Sequence, residues 1–297
     1  MGKGNGFRRK RGGSGAGESG DGRHDTRGGQ DAKFVIYCPG TGEMAREGKR
    51  IMQWDVRFVK TTGSTNEDVT RAGMRGAPAG FTLVADQQTA GRGRMDRKWF
   101  SPPDTGLYVS VLVRPEIPAG RAGMLSFCAA VAMRAAVAEA GLPETGIKWP
   151  NDLVAGGKKI CGILSNCQIR EKKLDFAVLG LGVNLRPGSY PPELADRAGC
   201  LAEMGAEVDR EHLLYQFLRH LDTALSALEA GGAEVLRGLK SHCVTLGSEV
   251  LVSGGTALKG VARDIGKNGE LIVETAEGTL VPVLAGDVSV RGVMGYV

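Results

Sequence analysis

Gln88-Thr89-Ala90-Gly91-Arg92-Gly93-Arg94-Met95-Asp96-Arg97-Lys98-Trp99 places four positive side chains between two strand-like runs, Phe81 to Ala85 and Leu107 to Val113. Gly91 and Gly93 let the backbone approach a ligand and adopt conformations closed to other residues. The guanidinium forks of Arg92, Arg94 and Arg97 match phosphate or carboxylate oxygens bidentately. Taken alone, the segment reads equally well as an anion-binding loop, a solvated surface loop or an RNA-contacting Arg-Gly stretch.

Working outward, Ser64-Thr65-Asn66-Glu67 has capping-box spacing and marks the start of a helix between the strand-like runs Asp55 to Lys60 and Phe81 to Ala85. Lys148-Trp149-Pro150-Asn151-Asp152-Leu153 brings a strand into a proline-directed turn that presents an amide beside a carboxylate, a pair suited to a nucleotide or a metal, or to capping the turn itself. In Lys158-Lys159-Ile160-Cys161-Gly162-Ile163-Leu164 a lysine leads into an apolar strand, and Gly180-Leu181-Gly182-Val183-Asn184 ends another on two glycines and an amide. Each of these has an ordinary structural reading as well.

Helix and strand patterns alternate from Phe34 onward. Met124 to Ala140 is an alanine-rich apolar helix stopped by Gly141 and Pro143. Strand-like runs follow at Ile147 to Trp149, Lys159 to Ser165 and Asp175 to Val183, the last two joined by the charged turn Arg170-Glu171-Lys172-Lys173. Leucines at helical spacing over Glu211 to Leu228 predict a helix covering the sheet. From Thr245 the chain reads as five short strands, Glu249 to Ser253, Ala257 to Ile265, Glu270 to Thr275, Thr279 to Val283 and Val288 to Arg291. Asn268-Gly269 signals a type I′ hairpin turn and Glu277-Gly278 a weaker one. Five such strands suggest a small SH3-like barrel.

The formal net charge is +5, yet Met1 to Lys33 carries eight Lys/Arg against four Asp/Glu, so the remainder is nearly neutral and offers no domain-wide basic face for a nucleic acid. Residues 1–33, rich in Gly and Arg, read as a disordered tail whose Arg8-Arg9-Lys10-Arg11 cluster is a solvated run, an anionic-surface contact or an address. The six cysteines are scattered without a C-x-x-C pair, which predicts reduced structural thiols and a cytoplasmic protein. No apolar run is long enough to span a bilayer.

The four motifs in this order, followed by a small β domain, resemble the biotin-protein ligases from about Asp55 to Arg291. The Gly-Arg-Gly-Arg loop and Lys-Trp-Pro-Asn-Asp are the most specific parts. The resemblance implies an α+β fold: a mixed central sheet with packed helices over residues 34–244, of the class II synthetase-like biotin/lipoate ligase type, and an SH3-like domain over 245–297. It implies ATP and biotin as substrates with Mg2+. The expected reaction forms biotinyl-5'-AMP and then transfers biotin to a lysine of a carboxylase's biotin carboxyl carrier domain.

By the same resemblance, Ser64, Thr65, Asn66, Gln88, Gly91, Arg92 and Arg94 line the biotin pocket, with Gly162 keeping its wall thin. Lys159 bridges the biotin carboxyl and the α-phosphate, and Lys159, Arg92 and Arg94 carry the catalysis. Arg94, Arg97, Trp99, Asn151, Lys159 and Asn184 serve the nucleotide, and Asp152 its metal. Two departures stand out: Met95-Asp96 replaces a flexible glycine position of the family's loop, and Asn166 stands where a glutamate is common. The first fifty-odd residues lack the helices of a DNA-binding domain, so sequence-specific DNA binding is not expected; the form expected is a monomer or weak homodimer. The alternatives are a lipoate-protein ligase of the same superfamily, or a non-enzymatic nucleic-acid-binding protein.

Overall fold

The computed structural model describes residues 32–37, 52–95, 97–253, 258–284 and 289–292. The Gly/Arg-rich stretch 1–31, with its Arg8-Arg9-Lys10-Arg11 cluster, lies outside the described residues, as do Cys38 and Asp96.

In chain order the first part comprises β1 (Ala32–Tyr37), β2 (Gln53–Thr62), α1 (Thr65–Met74), β3 (Phe81–Gln88), β4 (Gly106–Val113), α2 (Met124–Glu139), β5 (Gly146–Lys148), β6 (Asp152–Ala155), β7 (Lys158–Arg170), β8 (Lys173–Asn184), α3 (Arg210–Glu229) and α4 (Ala233–His242). Its strands form one mixed sheet in the order β1-β2-β3-β4-β8-β7-β6-β5. Among the described residues the one parallel pair of strands is β2 with β3, and α1 supplies the crossover that a parallel connection needs. Two of the antiparallel connections are two-residue hairpins: Gly156 and Gly157 between β6 and β7, and Glu171 and Lys172 between β7 and β8, all take positive φ, the type I′ pattern. The strand at Ala32–Tyr37 begins inside the stretch expected to be tail and precedes Asp55 to Lys60, the first strand-like run of the sequence.

Strand β4 is buried at every position and β8 at nine of twelve, which is why both read as near-continuous apolar runs. One face of the sheet is covered by α1, where Val69 meets Leu83, Leu112, Phe176 and Val178. The other carries the larger core, in which Phe127 and Met133 of α2 and Leu214, Phe217 and Leu221 of α3 lie against β4, β7 and β8. Each fully buried Leu or Phe there contributes about 1.5–3 kcal/mol. Among the described residues no helix is long and apolar enough to cross a membrane.

The second sheet runs β12-β11-β10-β9-β13, from β9 (Glu249–Ser253), β10 (Leu258–Ile265), β11 (Leu271–Glu274), β12 (Leu280–Val283) and β13 (Ser289–Gly292), all antiparallel. All five expected strands are present. They form an open sheet with β12 and β13 at its edges, and among the described residues no ladder closes it as a barrel. Its apolar side, with Val250, Ile265, Leu271 and Val273, joins the main core. The turn before β11 also differs from expectation: Gly269 has φ +91° while Asn268 does not, and Gly269 N donates to Gly266 O at 2.9 Å. This is a longer loop closed by a left-handed glycine rather than a two-residue type I′ turn. The reason is packing, because the tip rests on α2, where a Cβ on Gly269 would come within 2.3 Å of Phe127.

Candidate active site

A cavity of about 1200 Å³ opens over the ends of β3, β7 and β8, and every site residue expected from the sequence lines it: Ser64, Thr65, Asn66, Gln88, Gly91, Arg92, Arg94, Arg97, Trp99, Asn151, Asp152, Lys159, Gly162 and Asn184. Seven Lys/Arg and two Asp/Glu of the described residues face it, a balance that draws in anions.

The start of α1 forms the first wall. Capping-box spacing predicts that Ser64 caps this helix, but its side chain makes no capping bond. Gln88 replaces it, its Oε1 accepting from Thr65 N at 2.9 Å and from Thr65 Oγ1 at 3.1 Å. Glu67 pairs with Arg92 Nη2 at 2.5 Å instead of reaching back along the helix. Neither half of the expected box caps the helix: Ser64 lines the cavity and Glu67 holds Arg92. Ser64 Oγ is left buried without a hydrogen-bond partner among the described residues.

The glycine-arginine loop folds on itself as a short ribbon. Trp99 N donates to Gly91 O at 2.9 Å, Arg92 bridges Lys98, and Gly93 N donates to Arg97 O at 2.7 Å. Met95 sits at the tip with φ +54°, exposed. Arg94 reaches across the cavity so that its Nη1 donates to Asn151 Oδ1 at 3.2 Å. Burial lowers the Arg94 pKa, Asp152 pulls it back up, and Arg97 lowers it further. Its guanidinium stays charged.

The Trp149-Pro150 turn holds Asn151 and Asp152. Trp149 is only 1% exposed; its backbone N donates to Thr245 Oγ1 at 2.9 Å and its Nε1 to Gly269 O at 3.0 Å, so the second sheet secures the turn. Asn151 Nδ2 donates to Ile163 O at 2.8 Å, and Lys159 Nζ lies 2.7 Å from Asp152 Oδ1. The lysine backbone is gripped from the far side by the segment after β8, through Lys159 N to Arg197 O at 2.8 Å and Gly199 N to Lys159 O at 3.0 Å. Gly162 and Gly182 make the floor, on which the Trp99 ring rests: a Cβ at Gly182 would come within 2.2 Å of Trp99 Nε1, and one at Gly162 within 2.8 Å of the same ring.

Asn184 is 2% exposed and donates from Nδ2 to Gly199 O at 3.0 Å. Its Oδ1, Trp99 Nε1 and Ser189 Oγ are buried with no hydrogen-bond partner among the described residues. Each such group costs about 1–3 kcal/mol when left unpaired, a cost that a polar ligand relieves. Cys161, on the strand beside Lys159, is buried, and burial pushes its thiol up, so no thiolate nucleophile is offered. Nor does any group of three or more His, Cys, Asp and Glu gather among the described residues. The wall from Ser189 to Ala198 has no counterpart in the sequence reading. It holds one short 3-10 turn at Pro192–Leu194, and pairing with Lys159 and Asn184 brings it to the site. Ser110 had a visible signal, a lone hydroxyl in the apolar run of β4, where it now meets Thr65 Oγ1 at 2.8 Å.

The sequence profile described as the biotin/lipoate A/B protein ligase family matches residues 58–184, and that of the biotin protein ligase C terminal domain matches residues 245–291. Among curated relatives, the biotin–[acetyl-CoA-carboxylase] ligase of Mycobacterium tuberculosis is 37% identical, covering 77% of this chain and 86% of that protein. The bifunctional ligase/repressor BirA of Bacillus subtilis is 34% identical, covering 72% and 68%. Among solved structures, the R40G mutant of the Aquifex aeolicus biotin protein ligase in complex with biotin superposes with a TM-score of 0.70 at 30% identity, covering 80% of this chain and 97% of that one. The same enzyme in complex with biotin and ATP gives 0.65, also at 30% identity, covering 80% and 98%. On these grounds the chain belongs to the biotin protein ligases, within the biotin/lipoate protein ligase family.

Proposed function

We propose that the chain joins biotin to ATP as biotinyl-5'-AMP, releasing pyrophosphate, and passes the biotinyl group to a lysine of a biotin carboxyl carrier domain. The observation that carries this is the convergence of Arg92, Arg94 and Lys159 on one cavity with a glycine floor. In the first step a biotin carboxylate oxygen bonds to the α-phosphorus and the bond to the pyrophosphate breaks. Two anions must meet, so the demand is for position and counter-charge rather than for a base. Lys159 stands where it can touch both carboxylate and phosphate, Arg92 and Arg94 neutralise the loop side, and Asn151 and Asn184 hold the nucleotide. Ser64, Thr65, Asn66 and Gln88 receive the fused-ring head of biotin, whose N–H and carbonyl groups match their hydroxyls and amides. Arg97 and Trp99 meet the nucleotide from the loop side.

Asp152 suits magnesium in one respect: the ion takes one or two carboxylates and completes its shell with phosphate oxygens and water. When bound with ATP it supplies further charge neutralisation. In the second step the carrier's lysine nitrogen bonds to the acyl carbon, the bond to AMP breaks, and the amine gives up a proton. Lys159 and the loop arginines face the oxyanion that develops, and the ribbon from Gly91 to Trp99 excludes water that would hydrolyse the mixed anhydride.

Biotin-dependent exchange of labelled pyrophosphate into ATP, followed by transfer of labelled biotin to a carrier domain, tests both steps. Exchange with lipoate and none with biotin would overturn the choice of acid, and exchange with neither would overturn the activation step.

A further inference from the structure

Where β8 ends at Asn184 the chain turns sharply and brings a hydroxyl to the same cavity. Leu185 N and Arg186 N both donate to Thr105 O at 3.0 Å, which pins the start of the turn. Ser189 N donates to Arg186 O at 3.2 Å and Gly188 has φ +88°, so Arg186-Pro187-Gly188-Ser189 has the form of a type II turn. Such a turn favours proline at its second position, where the ring fixes φ, and glycine at its third, where φ is positive. Ser189 is therefore held in place by its backbone. Its side chain is 1% exposed and lines the cavity, and its Oγ has no hydrogen-bond partner among the described residues. Asn184, 2% exposed, carries a second such atom, Oδ1. The Asn184 amide cannot turn over, because its Nδ2 donates at 3.0 Å to Gly199 O, a backbone carbonyl that only accepts.

We infer that Ser189 is a further nucleotide-binding residue, whose hydroxyl donates to a ring nitrogen of adenine beside the amino group that Asn184 accepts. The inference rests on the proposed function for the identity of the nucleotide. On adenine the 6-amino group is a donor flanked by two acceptors, the ring nitrogens N1 and N7. Asn184 Oδ1 meets the amino group, and a hydroxyl next to it finds an acceptor whichever of the two nitrogens it faces. Both side chains are sealed from water, which suits the uncharged base. The triphosphate calls instead for the part of the cavity that holds Arg92, Arg94 and Lys159. A buried hydroxyl is costly while unpaired, and the base relieves that cost on binding.

The test is biotin-dependent exchange of labelled pyrophosphate by the full chain, unaltered and with Ser189→Ala, into ATP, 7-deaza-ATP, 1-deaza-ATP and 2'-deoxy-ATP. In the unaltered chain one of the two deaza nucleotides is expected to lower kcat/KM about tenfold, the size of one hydrogen bond to a buried group. Ser189→Ala should lower kcat/KM for ATP by a similar factor, mainly through KM, and lose nothing further with that deaza nucleotide, because the two changes remove the same bond. The KM for biotin should stay unchanged. The thermal midpoint of the variant without substrates should not fall, since the hydroxyl bonds nothing in the fold. Normal use of ATP by the variant overturns the inference, as does a sensitivity to the deaza nucleotides that persists in the variant. A penalty with 2'-deoxy-ATP that the variant abolishes places the hydroxyl on the ribose and overturns it, and a lowered midpoint assigns it to the fold. Each of these results leaves the proposed function standing. If the unaltered chain exchanges no pyrophosphate into ATP with biotin, the proposed function is wrong and the inference fails with it.

Discussion

Lys159 Nζ and Asp152 Oδ1 stand 2.7 Å apart, so the ammonium facing the cavity is already balanced by a carboxylate on the neighbouring strand. Lys159→Ala removes the counter-charge for carboxylate and phosphate and leaves Asp152 to repel both. The expected outcome is a fall in biotin-dependent pyrophosphate exchange of about 100-fold or more, with the thermal midpoint little changed because both side chains reach solvent. Exchange rates and differential scanning on the same preparation decide it.

Arg94 touches Asn151 across the cavity, so it links the loop to the turn. Arg94→Ala should lower exchange by about 100-fold. Arg92 lines the cavity while paired with Glu67. Glu67→Gln releases it and should alter the biotin KM more than kcat, an effect read from initial rates at saturating ATP.

Trp149→Phe keeps the buried ring but removes the donor to Gly269 O. An acceptor left unpaired in the interior costs about 1–3 kcal/mol, which should show in the denaturant midpoint. Because Asn151 and Asp152 follow directly in the turn, the KM for ATP should rise more than that for biotin. Equal changes in both would separate Trp149 from the nucleotide side.

Gly182→Ala puts a methyl group where the Trp99 ring lies. Exchange should fall about tenfold with little loss of stability, since alanine suits a strand at least as well as glycine. Combining it with Trp99→Leu should give less than the sum of the two single effects, the mark of residues in contact.

His220 lies between Arg219 and Glu139 at the back of the helical layer. Burial pushes its pKa down, Arg219 adds to that, and Glu139 opposes. The folded state therefore prefers the neutral ring. As pH falls below about 6.5, the ordinary histidine value, the unfolded chain takes up the proton more readily and stability is lost. His220→Gln should flatten that part of the midpoint-versus-pH curve, measured by thermal melts between pH 8 and pH 5.

What the sequence disclosed follows from what each signal measures. Periodicity found β4 as Leu107 to Val113 and α2 as Met124 to Ala140 to within a residue, because burial on two sides leaves unbroken apolar runs. It missed β1, which begins within the polar tail, and α4, whose apolar stripe is short. The loop and the Lys-Trp-Pro-Asn-Asp turn were legible as motifs. Ser189, Tyr190 and Arg197 were not, since they reach the cavity through backbone pairing across 38 positions, from Lys159 N to Arg197 O, and such pairing leaves no trace in local composition. The capping-box spacing of Ser64 and Glu67 marked the helix start correctly but not the bonds, since Ser64 makes no capping bond and Glu67 pairs with Arg92.

The chain has three tryptophans, and the fold gives them unequal roles as light emitters. Trp54 and Trp149 are sealed in the interior at 0% and 1% exposure, so their emission is a steady background. Trp99, only partly buried, rests on the cavity floor, with the Lys159 ammonium 5.2 Å from its ring centroid and its indole N–H without a partner among the described residues. Whatever enters the cavity changes the polarity around that one ring, so the protein carries its own optical gauge of occupancy, readable without a label.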